Sequence, residues 1–392
     1  MTSKGRKKIA MLLTCWIPSA RYRRLVRRAI TDAPKAGPVV KGAYAPAGTG
    51  RYSTLVVPRG FGHSGSGVIG DLLSEYDGTT VFGGADPDGS GRFAGVGQVN
   101  AESFEVDLFK MRGGVADLAS AFGESRAWGK FKLLDFVHVV EALYREPNIP
   151  IYDRAFLERS RRFVADLTTA SWRSVTPLAE SRFFEMPVPP PDEDRGLLNP
   201  LYAWRENLAE SYVMKDLTQD EYVALAHDYL RDVLGRIPSR PVLVMDQLLS
   251  IDLPLDLCER YVGPFKMVAV WRDPRDVFCT GLAHRMPWIP NEPKTFVAWY
   301  RSLGIAPLRA ADDPRLLVLR FEDLVLKYDE SVARVEAFVG LKPEAHLRPR
   351  TAYDPSRSAK NIGIWRSCPD QAAMALIARE LPEFCFEENC HG

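Results

Sequence analysis

The sequence predicts an α/β fold, a mostly parallel sheet flanked by helices, with a helical insertion and a basic arm at the N-terminus. Three observations carry this expectation. Short apolar runs (Thr54 to Pro58, Pro241 to Met245, Phe265 to Val270, Leu316 to Phe321) alternate with helical stretches, the pattern of a sheet covered on both faces. The first run leads through Gly60-Phe61-Gly62-His63-Ser64-Gly65-Ser66-Gly67 into a helical stretch from Val68 to Tyr76. The third run ends on Trp271-Arg272-Asp273-Pro274-Arg275-Asp276-Val277, a dense charged turn that opens another helix.

The remaining elements follow in chain order. A second short strand is expected at Thr79 to Phe82, and Glu105-Val106-Asp107-Leu108-Phe109 alternates as a strand does. Val115 to Phe122 reads as helix. From Phe131 to Val175 apolar residues recur at helical spacing (Phe131, Leu134, Val137, then Phe156, Phe163, Leu167) with no strand signal between them. That spacing predicts a helical insertion over about residues 125–235, which includes the proline loop Pro187 to Asp192. Asp220 to Leu234, Leu255 to Val262, Val277 to His284, Thr295 to Ala310 and Ser331 to Val339 complete the helices.

Composition narrows the function classes. The chain has 392 residues, 46% hydrophobic and 26% charged, values of an ordinary globular protein. Lys plus Arg number 51 against 50 for Asp plus Glu, so no overall field singles out nucleic acid as a partner. Six scattered cysteines lack close metal-ligand spacing and read as free thiols of a reducing compartment, and no metal site is expected. The expected localisation is cytoplasmic. Residues 1–45 differ from the rest: basic clusters at Lys4 to Lys8 and Arg21 to Arg28 flank an apolar patch with Trp16, and no acidic residue precedes Asp32. Such an arm fits a segment lying on an anionic membrane surface, on the inner face of the plasma membrane, or a helix packed on the body with a solvated basic face. The body then spans residues 46–392.

The two loops carry the chemistry. Glycine lets backbone approach an oxyanion without a Cβ in the way, and a helix N-terminus adds free N–H groups and a positive dipole end. Gly65, Ser66 and Gly67 are the candidate N–H donors to a phosphate, with hydroxyls from Ser64 and Ser66. The bland alternative is a tight strand-to-helix turn. Arg272 offers a planar fork matched to phosphate, or an ion pair with Asp273 or Asp276. Together the loops suggest a ligand with two separated anionic groups.

At these residues the chain resembles the sulfotransferases that use 3′-phosphoadenosine 5′-phosphosulfate (PAPS), of the bacterial, carbohydrate-type P-loop-like kind. Ser64-Gly65-Ser66 stands where that family has its Ser-Gly-Thr loop around the 5′-phosphosulfate. Arg272-Asp273-Pro274-Arg275-Asp276-Val277 is similar to the segment whose first arginine binds the 3′-phosphate, and Thr280 keeps the hydroxyl of a serine the family places there. Ser358 to Arg366 resembles the late basic-glycine segment that closes over the cofactor, which makes Arg357 and Lys360 candidate cations for the 3′-phosphate. The resemblance spans about residues 50–370 and implies sulfuryl transfer from PAPS to a hydroxyl, without a metal.

One departure is informative. Where the family carries a lysine or arginine before the Ser-Gly pair, this chain has His63. Either His63 neutralises the leaving oxygen as an imidazolium, or Arg59 or Lys360 does so. Glu105 and Asp107, on one face of their expected strand, are the candidate catalytic bases, ahead of His138, Asp246 and His284. Ile9 to Arg28 resembles N-terminal segments of bacterial surface-polysaccharide enzymes, which points to a surface glycan or glycolipid precursor as acceptor. Two other classes stay open. Val242 to Asp246 resembles a Walker B strand and would suit an ATP–Mg²⁺ kinase, although the loop lacks the Gly-Lys-Ser/Thr ending. A glycan-binding or scaffold protein without turnover is the other.

Overall fold

The computed structural model of the protein describes residues 52–82, 108–109, 114–122, 126–145, 151–173, 210–237, 239–249, 253–286 and 288–386. The N-terminal arm, the proline loop, Glu105 and Asp107 lie outside them. The chain divides into two compact units. The larger, Gly48–Ala170 with Val213–Gly392, contains the main sheet and its helices. Of the smaller, Met1–Ala47 with Ser171–Tyr212, the described residues are 171–173 and 210–212, all in strands.

In order, the elements are β1 (Thr54–Gly60), α1 (Gly67–Ser74), β2 (Thr79–Val81), α2 (Val115–Leu118), α3 (Arg126–Arg145), α4 (Arg154–Leu167), β3 (Thr168–Arg173), β4 (Glu210–Met214) and α5 (Gln219–Leu234). Then come β5 (Val242–Val244), α6 (Leu255–Val262), β6 (Phe265–Trp271), α7 (Pro274–His284), α8 (Pro293–Ser302), α9 (Ile305–Ala310) and β7 (Leu316–Arg320). The last four helices are α10 (Phe321–Leu326), α11 (Tyr328–Val339), α12 (Pro355–Ala359) and α13 (Gln371–Glu380). Five strands form one sheet in the order β2-β5-β1-β6-β7, with each neighbouring pair parallel. The expected α/β architecture is the observed one.

Burial follows the two-residue period of a strand. Val268 and Val270 pack with Val56, Ile69, Leu72 and Val335 in one cluster, while Ala269 and Trp271 join Phe278, Phe296, Tyr300 and Ile377 in another. Both faces of β6 are therefore dry from Met267 onward, as the apolar run Met267 to Trp271 requires. Gly60 is paired with Val270, and Trp271 with Arg320, so β1, β6 and β7 end level with one another. From β1 the chain moves outward to β2 on one side, and β6 with β7 lie on the other. A crevice at the carboxyl ends, where the strand order reverses, is where such sheets bind ligands.

Several expectations need correction. The helical insertion is interrupted by the two-stranded sheet β3-β4, which the β-branched pair Thr168-Thr169 begins. Leu108 and Phe109 are fully buried but sit in a π-helical turn, not in the strand their alternation suggested. In α3 Leu133, Phe136, Val140 and Leu143 are buried, one face away from Leu134 and Val137. Adjacent apolar doublets in this helix give two competing stripes, and periodicity alone does not choose between them. The chosen stripe puts Phe136 edge-on to Phe163, which stacks on Tyr229 at 4.6 Å. The single helix expected over Thr295 to Ala310 is two, broken at Gly304 with φ +70°. Phe321 begins a helix instead of ending a strand.

Candidate active site

The cradle is built from the bottom of β1 upward. A side chain on Gly60 would sit 2.9 Å from the Ser64 Oγ, so only glycine lets the loop fold back over the strand end. Gly62, His63 and Gly65 all have positive φ (+56°, +52°, +88°), which coils the loop tightly. The Phe61 N–H donates to Ser64 Oγ at 3.0 Å, and Gln247 Nε2 donates to Ser66 Oγ at 2.9 Å. Each serine hydroxyl thus accepts a bond from the protein and keeps its own O–H to donate. The N–H groups of Ser64, Gly65, Ser66 and Gly67 make no hydrogen bond among the described residues. They precede or open α1, where no intrahelical partner exists. A Cβ at Gly67 would meet nothing within 4 Å, so the loop is open there.

Arg272 follows the last residue of β6 and is 5% exposed. Its Nη1 donates to the His63 carbonyl and to Thr280 Oγ1, both at 3.3 Å, and its Nη2 to the Asn361 carbonyl. Its Nε is buried without a partner. Burial pushes the guanidinium below the ordinary arginine value, against the pull of Asp276, Glu322 and Asp273. The sequence offered Asp273 or Asp276 as an ion-pair partner. Asp276 is that partner, at 4.0 Å, whereas Asp273 grips Arg275 at 2.6 Å and caps α7. The Asp276 carboxylate accepts the N–H groups of Gly363 and Trp365 at 2.8 and 3.0 Å, which pins the late segment over the arginine.

The structure brings together His63, Ser64, Gly65, Ser66, Gly67, Arg272 and Thr280. Arg357 and Lys360 are exposed on and just after α12, Arg357 within 3.5 Å of Asp354. From the same segment it is a main-chain carbonyl, that of Asn361, that meets Arg272. Trp365 lies under the Arg275 guanidinium at 4.0 Å. The His63 ring is near-parallel to His284 and Trp288, with centroids 6.4 and 6.2 Å away. Burial first, then His284 and Arg272, hold the His63 imidazole below its ordinary value. That favours the neutral ring, which accepts a proton rather than lending a charge. No group of metal-ligating side chains occurs among the described residues.

Sequence reasoning missed four residues of this site. Gln247 links Arg59 to Ser66, and its φ of +61° gives no sign in the sequence. Glu75, just past α1, accepts from His346 at 2.7 Å and from the N–H groups of Arg350, Ala352 and Tyr353, tying the approach to the late segment onto the cradle helix. Phe321 and Glu322 follow β7, level with Arg272, a placement set by the β6–β7 register.

Glu322 is fully buried; its Oε1 accepts the Asp273 N–H at 3.0 Å, and its Oε2 has no partner. Burial pushes its carboxyl up to about 7 from 4.5. A carboxyl raised on folding keeps its proton longer in the native state, so its contribution is complete below about 4.5 and is lost as pH rises towards 7. Glu322→Gln is therefore expected to raise the melting temperature at about pH 8, by at most roughly 3 kcal/mol of stability, and to leave it unchanged near pH 4. Thermal melts at the two pH values check this, and an equal shift at both would refute it.

No protein-family model matches the chain, and no curated protein does. Among solved structures it is similar to a crystal structure of retinol dehydratase in complex with androsterone and the inactive cofactor PAP. The identity is 14%, over 88% of this chain and 84% of that one, with a TM-score of 0.33. A likeness at this level leaves the chemistry to be read from the residues themselves.

Proposed function

We propose that the protein transfers a sulfuryl group from PAPS to a hydroxyl acceptor and releases adenosine 3′,5′-bisphosphate. The observation that carries this is the level ending of β1 and β6, which sets an open cradle of N–H donors beside a buried arginine. The residues fit a ligand with two separated anions. Ser64 to Gly67 would hold the 5′-phosphosulfate, and Arg272 with Thr280 the 3′-phosphate. When bound, PAPS supplies the activated sulfuryl group. The amides bind and orient, the α1 dipole favours negative charge at its N-terminus, and Phe61 and Ile289, both buried, close the apolar floor behind the loop.

His63 enters this reading as the proton acceptor. Its depressed titration leaves the ring neutral at neutral pH, and Arg59, tied through Gln247 to Ser66, takes over as the permanent cation. Turnover is then expected to fall on the acid side as the ring protonates, below the ordinary 6.5 of histidine, and His63→Gln to lose that limb along with most of the rate. A rate that climbs toward acid would assign the ring the leaving-group role instead.

The acceptor we favour is a surface glycan or glycolipid precursor, on the strength of the basic amphipathic arm. Among the described residues no helix is long and apolar enough to cross a membrane. Flotation with anionic vesicles tests the peripheral contact. The central test is calorimetric titration with adenosine 3′,5′-bisphosphate, AMP and ATP–Mg²⁺. Preference for the bisphosphate supports the sulfotransferase, preference for ATP–Mg²⁺ replaces it with a kinase, and silence from all three favours a scaffold.

A further inference from the structure

One side chain touches both anion sites. Phe321 directly follows β7, whose Arg320 is paired with Trp271, so its position is fixed one step beyond the last rung of the β6–β7 ladder. A Cβ added to Gly65 would collide with the Phe321 ring, approaching Cε2 to 2.7 Å, so the ring lies directly against the cradle backbone. The Arg272 guanidinium carbon is 5.2 Å from the centroid of the same ring. Phe321 is 3% exposed, and next to it the Glu322 carboxylate holds the Asp273 N–H at 3.0 Å, which anchors the turn that carries Arg272.

We propose that Phe321 is a positioning residue that couples the two anion sites, setting the separation at which one ligand engages both. A guanidinium in a desolvated site is attracted to the face of an aromatic ring. The opposite contact keeps Gly65 in its left-handed conformation, with its N–H free. Movement of either anion site is transmitted through one rigid ring. The inference rests on the bisphosphate reading above.

Phe321 also belongs to the apolar cluster around α1 and α11, so its test needs a readout that simple core filling does not move. That readout is the advantage of adenosine 3′,5′-bisphosphate over AMP, measured by calorimetry on the full chain. Phe321→Leu is expected to weaken the bisphosphate by about tenfold or more, while AMP changes by less than about twofold. Phe321→Tyr, which retains the ring, is expected to keep the advantage. If Phe321→Leu does not fold, Phe321→Met takes its place with the same expectation. Equal weakening of both ligands, or no change in either, overturns the proposal while the bisphosphate reading stands. A wild-type chain that binds no bisphosphate overturns that reading first, and the coupling with it.

Discussion

Arg272→Ala is expected to abolish measurable binding of adenosine 3′,5′-bisphosphate and to leave AMP binding within a few-fold of wild type. The guanidinium is buried at the strand ends with Thr280 beside it, and it stays charged despite its burial. Charge-assisted hydrogen bonds to a phosphate are worth about 1.5–3 kcal/mol each, so losing the fork costs at least on the order of 100-fold in affinity. The same side chain holds the carbonyls of His63 and Asn361. Asp276 and Glu322 are themselves buried, and both lose the attraction of the arginine. A loss of about 3–5 kcal/mol of stability is therefore expected as well. Arg272→Lys separates the two effects: it restores charge and most of the stability but not the planar fork, so affinity for the bisphosphate stays low. Calorimetry and thermal melts on both variants provide the check. An Arg272→Ala protein that binds the bisphosphate like wild type would make the residue a structural clasp between loop and late segment.

Much of this arrangement was legible in the sequence because it is local. A strand, a glycine-rich turn and a helix start lie in one continuous stretch, and the apolar runs that become β1, β5, β6 and β7 are bounded by turn residues. Arg272 just precedes α7 and Thr280 lies about two turns on along it, so their meeting is local to one helix entry. What was not legible depends on pairing between distant segments. Nothing in Phe321-Glu322 announces a role until the β6–β7 register places it beside Arg272 and Gly65. Asp276 pairs with Arg272 as its charge suggests, but it also accepts backbone N–H groups from the late segment, which no sequence spacing announces. The titration of His63 is likewise set by burial, then by His284 and Arg272, all of which come from the fold. Competing apolar stripes explain the rotated face of α3, and the β3-β4 sheet needed knowledge of a partner strand far along the chain.

Gly65→Ala and Gly67→Ala, two substitutions of equal chemistry two residues apart, are expected to fail in opposite ways. Gly65 has φ +88°, where an L side chain costs roughly 1–2 kcal/mol. Its Cβ would also drive into the buried Phe321 ring, and overpacking of that kind costs about 1–3 kcal/mol. The sum, on the order of 3 kcal/mol, should lower the melting temperature by about 4 °C for a chain of this size. Because the ring is the obstacle, combining Gly65→Ala with Phe321→Leu should recover part of the loss, whereas independent sites would add. Gly67 meets no such obstacle, since its Cβ would have nothing within 4 Å and its φ is not positive. Gly67→Ala should therefore melt within about 1 °C of wild type. Its methyl group would nevertheless stand in the open mouth of the cradle, so it should weaken AMP and the bisphosphate alike by about tenfold. Both ligands are expected to suffer because both use the cradle, in contrast to Arg272→Ala, which acts on one. If Gly67→Ala binds both as wild type does, the loop is a strand-to-helix turn rather than an anion site, and the sulfotransferase reading loses its first contact.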